Sequence, residues 1–213
     1  METKNVEIKK AFSFGWQSAK KDFLYFVYVA AIAMVISGIL GKLGEKNFIF
    51  AIVGWVIGFI TTCGIARITV DYVRGTKREL ETLFTEWQYF WRVVGACIFM
   101  GILIIIGLVL LVVPGIYLIF RFQFVTLFIV DKNMKIREAM KASTEMTKGI
   151  KWQLFRFALV SIGVALLGVL ALGVGIFIAV PIIWLAQAYI YNSLLSGNIK
   201  EEIKIDGSVV ATN

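Results

Sequence analysis

Residues 93–130 decide the fold, and they read VVGACIFMGILIIIGLVLLVVPGIYLIFRFQFVTLFIV. The only charged residue in this stretch is Arg121. A single helix over the stretch would be roughly 57 Å long at about 1.5 Å per residue, whereas a bilayer core of about 30 Å needs roughly 20 residues. The stretch therefore predicts two membrane spans. Pro114 and Gly115 are the predicted turn, because proline removes a backbone donor and glycine permits a chain reversal.

Three further apolar blocks have the same character. Residues 23–40 and 48–66 contain no charge, and a short polar segment separates them. Residues 157–195 are again too long for one span, and 172–175 supply a glycine-containing turn. These blocks predict an all-α polytopic membrane protein with six transmembrane helices in three hairpins. We expect a single membrane domain over 1–213 with a solvated tail over 198–213, and spans at about 22–42, 48–70, 93–113, 115–130, 154–172 and 175–195.

The composition agrees with a membrane protein, and the charges indicate its orientation. Hydrophobic residues make up 59% of the 213 residues, yet the net charge is +8. Most lysines and arginines fall in the N-terminal segment, the second and fourth loops and the tail, while the opposite side has only Lys42 and Lys46. The positive-inside rule therefore predicts cytoplasmic N and C termini in a multi-pass protein of the cytoplasmic membrane. The long charged lead argues against an N-terminal signal peptide.

The basic surplus also indicates a partner. Topology and the anionic lipid of the inner leaflet account for the surplus, so we expect membrane lipid and not nucleic acid. Aromatic residues cluster at the cytoplasmic ends of the spans, where amphipathic rings prefer to lie. They are Phe23, Tyr25, Phe26, Trp87, Tyr89, Trp91, Trp152 and Phe155. Whether the chain also binds a protein partner or forms a homo-oligomer stays open.

A threefold repeat runs through the sequence. The dipeptide Trp-Gln occurs at 16–17, 87–88 and 152–153, each time shortly before a span. Each unit also has four residues at the spacing of an amphipathic helix. They are Ile8, Ala11, Phe12 and Gly15, then Leu80, Leu83, Phe84 and Trp87, then Ile136, Ala139, Met140 and Ser143. We therefore expect amphipathic cytoplasmic connector helices near 6–20, 77–90 and 134–148, although three unrelated connectors could share this pattern. Repeated hairpins fit a transporter and a static bundle equally well.

An ordered string of residues from Val113 onward resembles a known family. The string comprises Val113-Pro114-Gly115-Ile116-Tyr117-Leu118, Arg121, Ile129-Val130-Asp131, Glu138-Ala139, Ser143 and Lys148-Gly149. It resembles prokaryotic six-span membrane proteins that are grouped with the membrane domain of glycerophosphoryl diester phosphodiesterase, many of them uncharacterised. The resemblance implies a six-helix bundle, sometimes fused to a soluble phosphodiesterase domain. We expect no such domain in this chain, so the enzymatic activity is not carried over.

Arg121 is the sharpest candidate for a functional residue. An arginine at the bilayer centre costs on the order of 2.5–3.5 kcal/mol. We expect no acidic residue deep in a span. Gln123, Gln187, Thr61 and Thr62 are therefore the predicted hydrogen-bond partners. Arg121, Gln123 and Gln187 form the predicted substrate-binding set, which would contact an anion or a lipid headgroup in an internal cavity.

A structural role for Arg121 is the alternative. Its side chain would then bond backbone carbonyls freed near Pro114 or Pro181, or reach the interface along a short span. Pro181 also predicts a kink or hinge in the sixth span. Small residues indicate close helix packing, namely Gly54 with Gly58 on the second span and Ser161 with Ala165 on the fifth.

Several chemistries are excluded by what the sequence lacks. The chain has no histidine, so a Ser–His or Cys–His nucleophile pair is impossible. Cys63 and Cys97 lie in apolar spans and indicate buried small side chains, not a metal site or a disulfide framework. No phosphate-binding or dinucleotide-binding motif follows a strand. We expect no enzymatic activity, no cofactor and no metal.

Two functions remain as predictions. The first is a non-enzymatic integral membrane protein, an accessory or scaffold that acts on lipids or partner proteins. The second is a small transporter or lipid-handling protein with Arg121 in an internal polar pathway. A polar cavity that reaches Arg121 would favour the second.

Overall fold

A computed structural model describes residues 6–110, 112–171, 173 and 175–210, with the backbone alone for 46, 112, 113 and 198–210. The described residues form helices and no strand, and six helices are long and apolar enough to cross a membrane, which confirms the predicted fold class. The helices are α1 Ile8–Lys21, α2 Phe23–Lys46, α3 Phe48–Val73, α4 Thr82–Thr85, α5 Phe90–Leu110, α6 Val112–Phe122, α7 Val125–Lys132, α8 Ile136–Met146, α9 Lys151–Leu170 and α10 Ile176–Val210, with a 3₁₀ helix at Glu86–Tyr89 between α4 and α5.

The first hairpin, α2–α3, reverses at a single residue. Helix α2 continues through the polar segment that the sequence assigned to a loop and ends at Lys46. Asn47 is extended, and its side-chain oxygen accepts a hydrogen bond of 2.9 Å from the Ile49 amide. Because this bond satisfies one free amide of α3, no longer loop is needed.

The predicted turn at Pro114 and Gly115 is wrong by a few residues. Helix α5 ends at Leu110 and α6 begins at Val112, so Pro114 lies inside the first turn of α6. Proline is tolerated there because its missing N–H would have no helical acceptor. Gly115 serves close packing instead, since a Cβ atom on it would lie 2.4 Å from the Leu108 side chain.

The fourth membrane crossing consists of two helices and not one. Helix α6 ends at Phe122, and α7 begins at Val125. Gln123 and Phe124 form a turn between them. The sequence predicted one uninterrupted span at 115–130, because no proline or glycine marks this break. The second hairpin is therefore α5 followed by the broken pair α6–α7.

The third hairpin agrees more closely with the sequence. Helix α9 ends at Leu170 and α10 begins at Ile176. A Cβ atom on Gly175 would lie 2.7 Å from the Gly168 carbonyl oxygen, so the two helices approach closely here. Pro181 is buried inside α10, which continues through it. The predicted tail is helical to Val210, and its last residues, 211–213, lie outside the described part.

Two of the three connectors are the expected amphipathic helices. They are α1 and α8, while the second connector is not one continuous helix. Residues 76–79 are non-helical, and the short α4 and the 3₁₀ helix follow them. This segment is attached to the first hairpin, because the Tyr25 hydroxyl donates to the Arg78 carbonyl at 2.7 Å and Lys77 pairs with Asp22. These bonds hold the backbone away from a helical path.

Repeat-equivalent residues in the three connectors are equally buried. Ala11, Leu83 and Ala139 occupy the second of the four repeated positions, and each has no exposed surface. A Cβ atom on Gly15 of α1 would lie 2.7 Å from the Ile182 carbonyl oxygen of α10. The first connector thus packs tightly on the second helix of the third hairpin.

The other two connectors follow the same rule. Leu83 of α4 lies against Gly64 of α3, the second helix of the first hairpin. In α8, the Ser143 hydroxyl donates to the Arg121 carbonyl of α6 at 2.8 Å. Each connector therefore docks on the second helix of the preceding hairpin, and the first docks on that of the third. The repeat closes into a ring.

The predicted small-residue pairs contribute less than expected. A Cβ atom on Gly54 would lie 3.0 Å from the Leu40 side chain of α2, so Gly54 does lie at a close helix contact. Gly58 has nothing within 4 Å of the same position. Ser161 and Ala165 are half-buried on α9, and the Ser161 hydroxyl donates within its own helix to the Phe157 carbonyl.

Replacing Gly64 with alanine is expected to destabilise the protein. The new Cβ atom would lie 2.4 Å from the Leu83 Cα atom, so backbone must move. Overpacking of this kind costs about 1–3 kcal/mol, more than the gain of up to about 1 kcal/mol from helix propensity. We expect a lower melting temperature for purified Gly64→Ala in detergent. Gly58→Ala, which meets open space on the same helix, is the control, and equal melting temperatures would contradict the packing argument.

Candidate functional site

A polar cavity lies where the second helices of the three hairpins meet. It lies between α3, the break between α6 and α7 with the start of α7, and α10, its volume is about 250 Å³, and Thr62 in its lining is exposed. None of its lining residues carries a charge. The residues that lend it polarity are Thr62, Thr69, Gln123, Thr126, Trp184 and Gln187.

Two of the three predicted substrate-binding residues meet in this cavity. The Gln187 side-chain amide donates to the Gln123 backbone carbonyl at 3.3 Å. The Gln123 side-chain nitrogen is buried and has no hydrogen-bond partner among the described residues. Thr62 lines the same cavity, whereas Thr61 is buried and donates to the Ile57 carbonyl. Gln123 therefore has a buried, unpaired hydrogen-bond donor next to the cavity.

Arg121 lies elsewhere and does not line the cavity. Its Nε atom donates to the Thr144 hydroxyl of α8 at 2.9 Å, and its carbonyl accepts from Ser143. The predicted hydrogen-bond partners of Arg121 were the glutamines and threonines of the spans or the backbone carbonyls near the prolines. Thr144 belongs to neither group. The partner comes from a connector, which the sequence analysis did not consider as packing against a span.

A second cation lies beside Arg121. Lys151, at the start of α9, contacts the Tyr117 hydroxyl, and its ammonium group is 3.5 Å from the centre of the Tyr117 ring. Arg121 lies one helical turn beyond Tyr117 on α6. Neither cation forms a salt bridge with an acidic side chain of the described residues. We call Arg121, Lys151, Tyr117 and Thr144 the basic corner.

An ion pair with a buried carboxylate lies at one end of the helix bundle. Arg74, just after α3, contacts both carboxylate oxygens of Asp131 on α7, one of them at 2.8 Å. Arg74 also donates to the Asn192 side chain at 3.2 Å, and the Tyr191 hydroxyl donates to Asp131 at 2.9 Å. The Asp131 side chain is only 3% exposed. This Arg74 cluster joins α3, α7 and α10, one turn beyond the cavity lining on α7 and α10.

The sequence analysis missed this cluster, although a signal existed. Asp71 and Asp131 each lie near the end of a hairpin's second helix, which ends at Val73 and at Lys132. Asp71 is also buried, and it pairs with Arg67 at 3.2 Å and Arg78 at 2.8 Å. An acidic side chain at the end of each of these two apolar helices is the signal that would have pointed to the cluster.

Charge pairing shifts two pKa values outside the membrane-crossing segments. The Lys77 ammonium and the Tyr72 hydroxyl both bond the Asp22 carboxylate and lower its pKa below the ordinary 3.8. The hydrogen bond to Asp131 raises the pKa of Arg74, which stays charged at any physiological pH. Both groups are therefore fixed in their ionised forms.

The cysteines do not form a reactive or metal-binding centre in the part of the chain that the structure describes. Cys63 is buried, Cys97 is half-buried, and both are free thiols. No group of three or more candidate metal ligands occurs among the described residues.

Comparison with known proteins gives a family likeness for the second half of the chain. Residues 94–198 match the model of a family described as a protein of unknown function, DUF975. This DUF975-like region covers about half of the chain, and it contains the basic corner, both cavity glutamines and Asp131.

The relatives found by sequence comparison are themselves named as uncharacterized proteins. Proteins of Mycobacterium tuberculosis and Mycobacterium bovis are each 28% identical over 167 residues, which is 73% of this chain and 46% of theirs. The chain thus spans less than half the length of these relatives. No solved structure matches it. The names of the family and of these relatives carry no link to glycerophosphoryl diester phosphodiesterase, so that resemblance stays a prediction.

Removing the carboxylate of the Arg74 cluster is expected to destabilise the bundle strongly. In Asp131→Ala, the Arg74 guanidinium and the Tyr191 hydroxyl lose their shared acceptor. Arg74 is exposed and stays solvated, whereas leaving the buried Tyr191 hydroxyl unpaired costs about 1–3 kcal/mol. The measurement is the melting temperature in detergent. Glu7→Gln, which breaks the exposed Lys10–Glu7 pair, is the control and should leave the melting temperature unchanged. Equal effects of the two changes would contradict a structural role for the cluster.

The Asp22 pair predicts a pH dependence. Since folding lowers the Asp22 pKa, its contribution to stability is fully present above the ordinary value of 3.8 and is lost as the pH falls through the lower folded value. Wild type should melt above Asp22→Asn at neutral pH, and the difference should narrow as the pH falls below 3.8. A difference that stays constant down to pH 3 would show that the charge of Asp22 does not stabilise the fold.

Proposed function

We propose that this chain is a non-enzymatic integral membrane protein that binds anionic phospholipid at a basic face on the cytoplasmic side of the cell membrane. In that position it acts as an accessory or scaffold protein for lipids or partner proteins. The observation that carries the proposal is the basic corner, in which Lys151 contacts the Tyr117 hydroxyl, Arg121 bonds the Thr144 hydroxyl, and neither cation has an acidic partner among the described residues.

The chemistry of the basic corner suits a phosphate group. Two like charges placed side by side repel each other, and an anion between them relieves that repulsion. The guanidinium of Arg121 can bond two phosphate oxygens, while Lys151 adds a point charge. The hydroxyl groups of Tyr117 and Thr144 are additional hydrogen-bonding groups within the same corner.

The surroundings of the corner favour a lipid over a soluble anion. Tyr117 is 44% exposed, and its neighbours Ile116 and Ile119 on α6 are exposed apolar side chains. On α9, Trp152 stacks on Phe155 with ring centres 5.3 Å apart. Apolar and aromatic side chains of this kind face acyl chains and the interface, where the available anion is a headgroup phosphate.

The three Trp-Gln dipeptides support a membrane-facing ring at the same end. Trp16, Trp87 and Trp152 are 57%, 69% and 70% exposed. Indole rings in that setting anchor a protein at the headgroup level. The repeat therefore supplies one interfacial anchor for each hairpin.

The orientation is also part of the proposal. The Lys77–Asp22 pair and the contacts of Arg74 with Asp131 and Asn192 bring the ends of α1, α3 and α7 and the middle of α10 to one end of the bundle. That end carries most of the basic residues, so the positive-inside rule favours the cytoplasm for it and for both termini of the chain.

Transport through a pathway that contains Arg121 is the weaker alternative. The internal cavity has the polar glutamines that such a pathway requires, but Arg121 bonds to α8 instead. An enzymatic function has no support from the residues, because the chain lacks histidine. The proposed lipid contact, unlike the transport pathway, agrees with the observed position of the Arg121 side chain beside α8.

The corner predicts a specific loss of anionic lipid binding. Arg121→Gln and Lys151→Gln each remove one charged contact to the phosphate, worth about 1.5–3 kcal/mol, so affinity for phosphatidylglycerol should fall about tenfold or more. The measurement is native mass spectrometry of the detergent-solubilised chain titrated with phosphatidylglycerol, with phosphatidylcholine for comparison.

Lys42→Gln is the matched control for that titration. It removes the same charge from α2, away from the basic corner, and should leave lipid affinity unchanged. Equal affinity in all three variants would overturn the proposed site. Equal binding of phosphatidylcholine would show that headgroup charge is not what the corner recognises.

A further inference from the structure

The turn between α6 and α7 lies directly at the central cavity. Gln123, one of its two residues, lines the cavity, and so does Thr126 at the start of α7. Non-helical backbone inside a membrane is tolerated only where protein buries it or where it lines a polar cavity, because freed backbone groups need partners. The break therefore belongs with the cavity and not with chain reversal.

The turn has one backbone carbonyl that is paired within the protein and one side-chain donor that is not. The Gln123 carbonyl accepts from Gln187 at 3.3 Å, but the Gln123 side-chain nitrogen has no partner in the described residues. No side chain caps the first turn of α7. An unpaired buried donor costs about 1–3 kcal/mol, so this arrangement favours an occupant that accepts hydrogen bonds.

The lining also sets the charge of that occupant. No lining residue is ionisable, and a charged solute would lose its hydration there without an ionic partner. Thr62 and Thr69 donate to carbonyls of their own helix, which leaves their oxygen lone pairs as acceptors. The occupant must therefore both accept and donate hydrogen bonds.

We propose that the central cavity binds a small uncharged solute carrying hydroxyl or amide groups. The volume of about 250 Å³ has room for roughly eight waters at about 30 Å³ each, which is enough for a compact polyol or amide. The Arg74 cluster lies one turn beyond, at Asp131 on α7 and Tyr191 on α10, and closes that end of the cavity. This site is independent of the basic corner, and either can fail without the other.

The test places a single cysteine in the cavity wall. The background is the full chain with Cys63→Ala and Cys97→Ala, the cavity variant is Thr126→Cys, and the control is Ile129→Cys, a fully buried position on the same helix. Methyl methanethiosulfonate, a small neutral reagent, reports access to the thiol. Glycerol and urea are the neutral probes for protection, and acetate and ethylammonium are charged probes of similar size.

We expect the cysteine at position 126 to be modified and the one at position 129 to resist modification. Glycerol or urea should slow the reaction at 126, while acetate and ethylammonium should not. Adding Gln123→Leu removes one hydrogen bond, so the probe concentration that gives half protection should rise about fivefold. Thr62→Cys, on the α3 wall, gives a second measurement if Thr126→Cys does not fold.

Three results would overturn the proposal. The cysteines at 126 and 62 could both resist the reagent in folded protein, which would mean that the cavity is closed to solutes. Neutral and charged probes could protect equally, or not at all, which would indicate a water-filled void only. Protection could also be insensitive to Gln123→Leu, which would remove the hydrogen-bonding basis of the site.

Discussion

The contact between Arg74 and Asp131 is the interaction on which the arrangement of the helices depends. It joins the end of α3 to α7, and Tyr191 and Asn192 add α10 to the same cluster. A buried carboxylate needs a cation and hydrogen-bond donors together, because burial alone would disfavour its charged form. These partners come from all three hairpins, so the cluster can form only when the second helices are correctly placed. It therefore specifies which helices surround the central cavity.

The broken fourth crossing follows from the same arrangement. Helix α7 must carry Asp131 to the Arg74 cluster, while α6 must stay on α5 through the contact of Gly115 with Leu108. The turn at Gln123 and Phe124 allows α6 and α7 to pack against different helices. Its backbone would be costly against lipid, but α3 and α10 cover it. The polar lining of the cavity is the consequence.

The sequence predicted the six helices and two of the three connectors, because these depend on apolar block length and on a 3.6-residue pattern that few neighbours can override. It also selected Gln123 and Gln187, which do meet. It missed the break after Phe122, since no proline or glycine marks it, and it missed Thr144 as the partner of Arg121. Both depend on contacts between elements that are distant in sequence, and hydropathy contains no information about such contacts.

The ring of connectors explains why Arg121 and the cavity are separate. Each connector docks on the outer side of a second helix, and α8 reaches α6 through Ser143 and Thr144. The inner sides of the second helices face one another at the cavity. Arg121 bonds to α8, so it belongs to the outer side, where Lys151 and Tyr117 also lie. Gln123 comes two residues later, past the end of α6, and lines the inner side. One short segment thus supplies both a charged side chain on the outer side and a neutral polar one beside the cavity, and the turn between α6 and α7 separates the two.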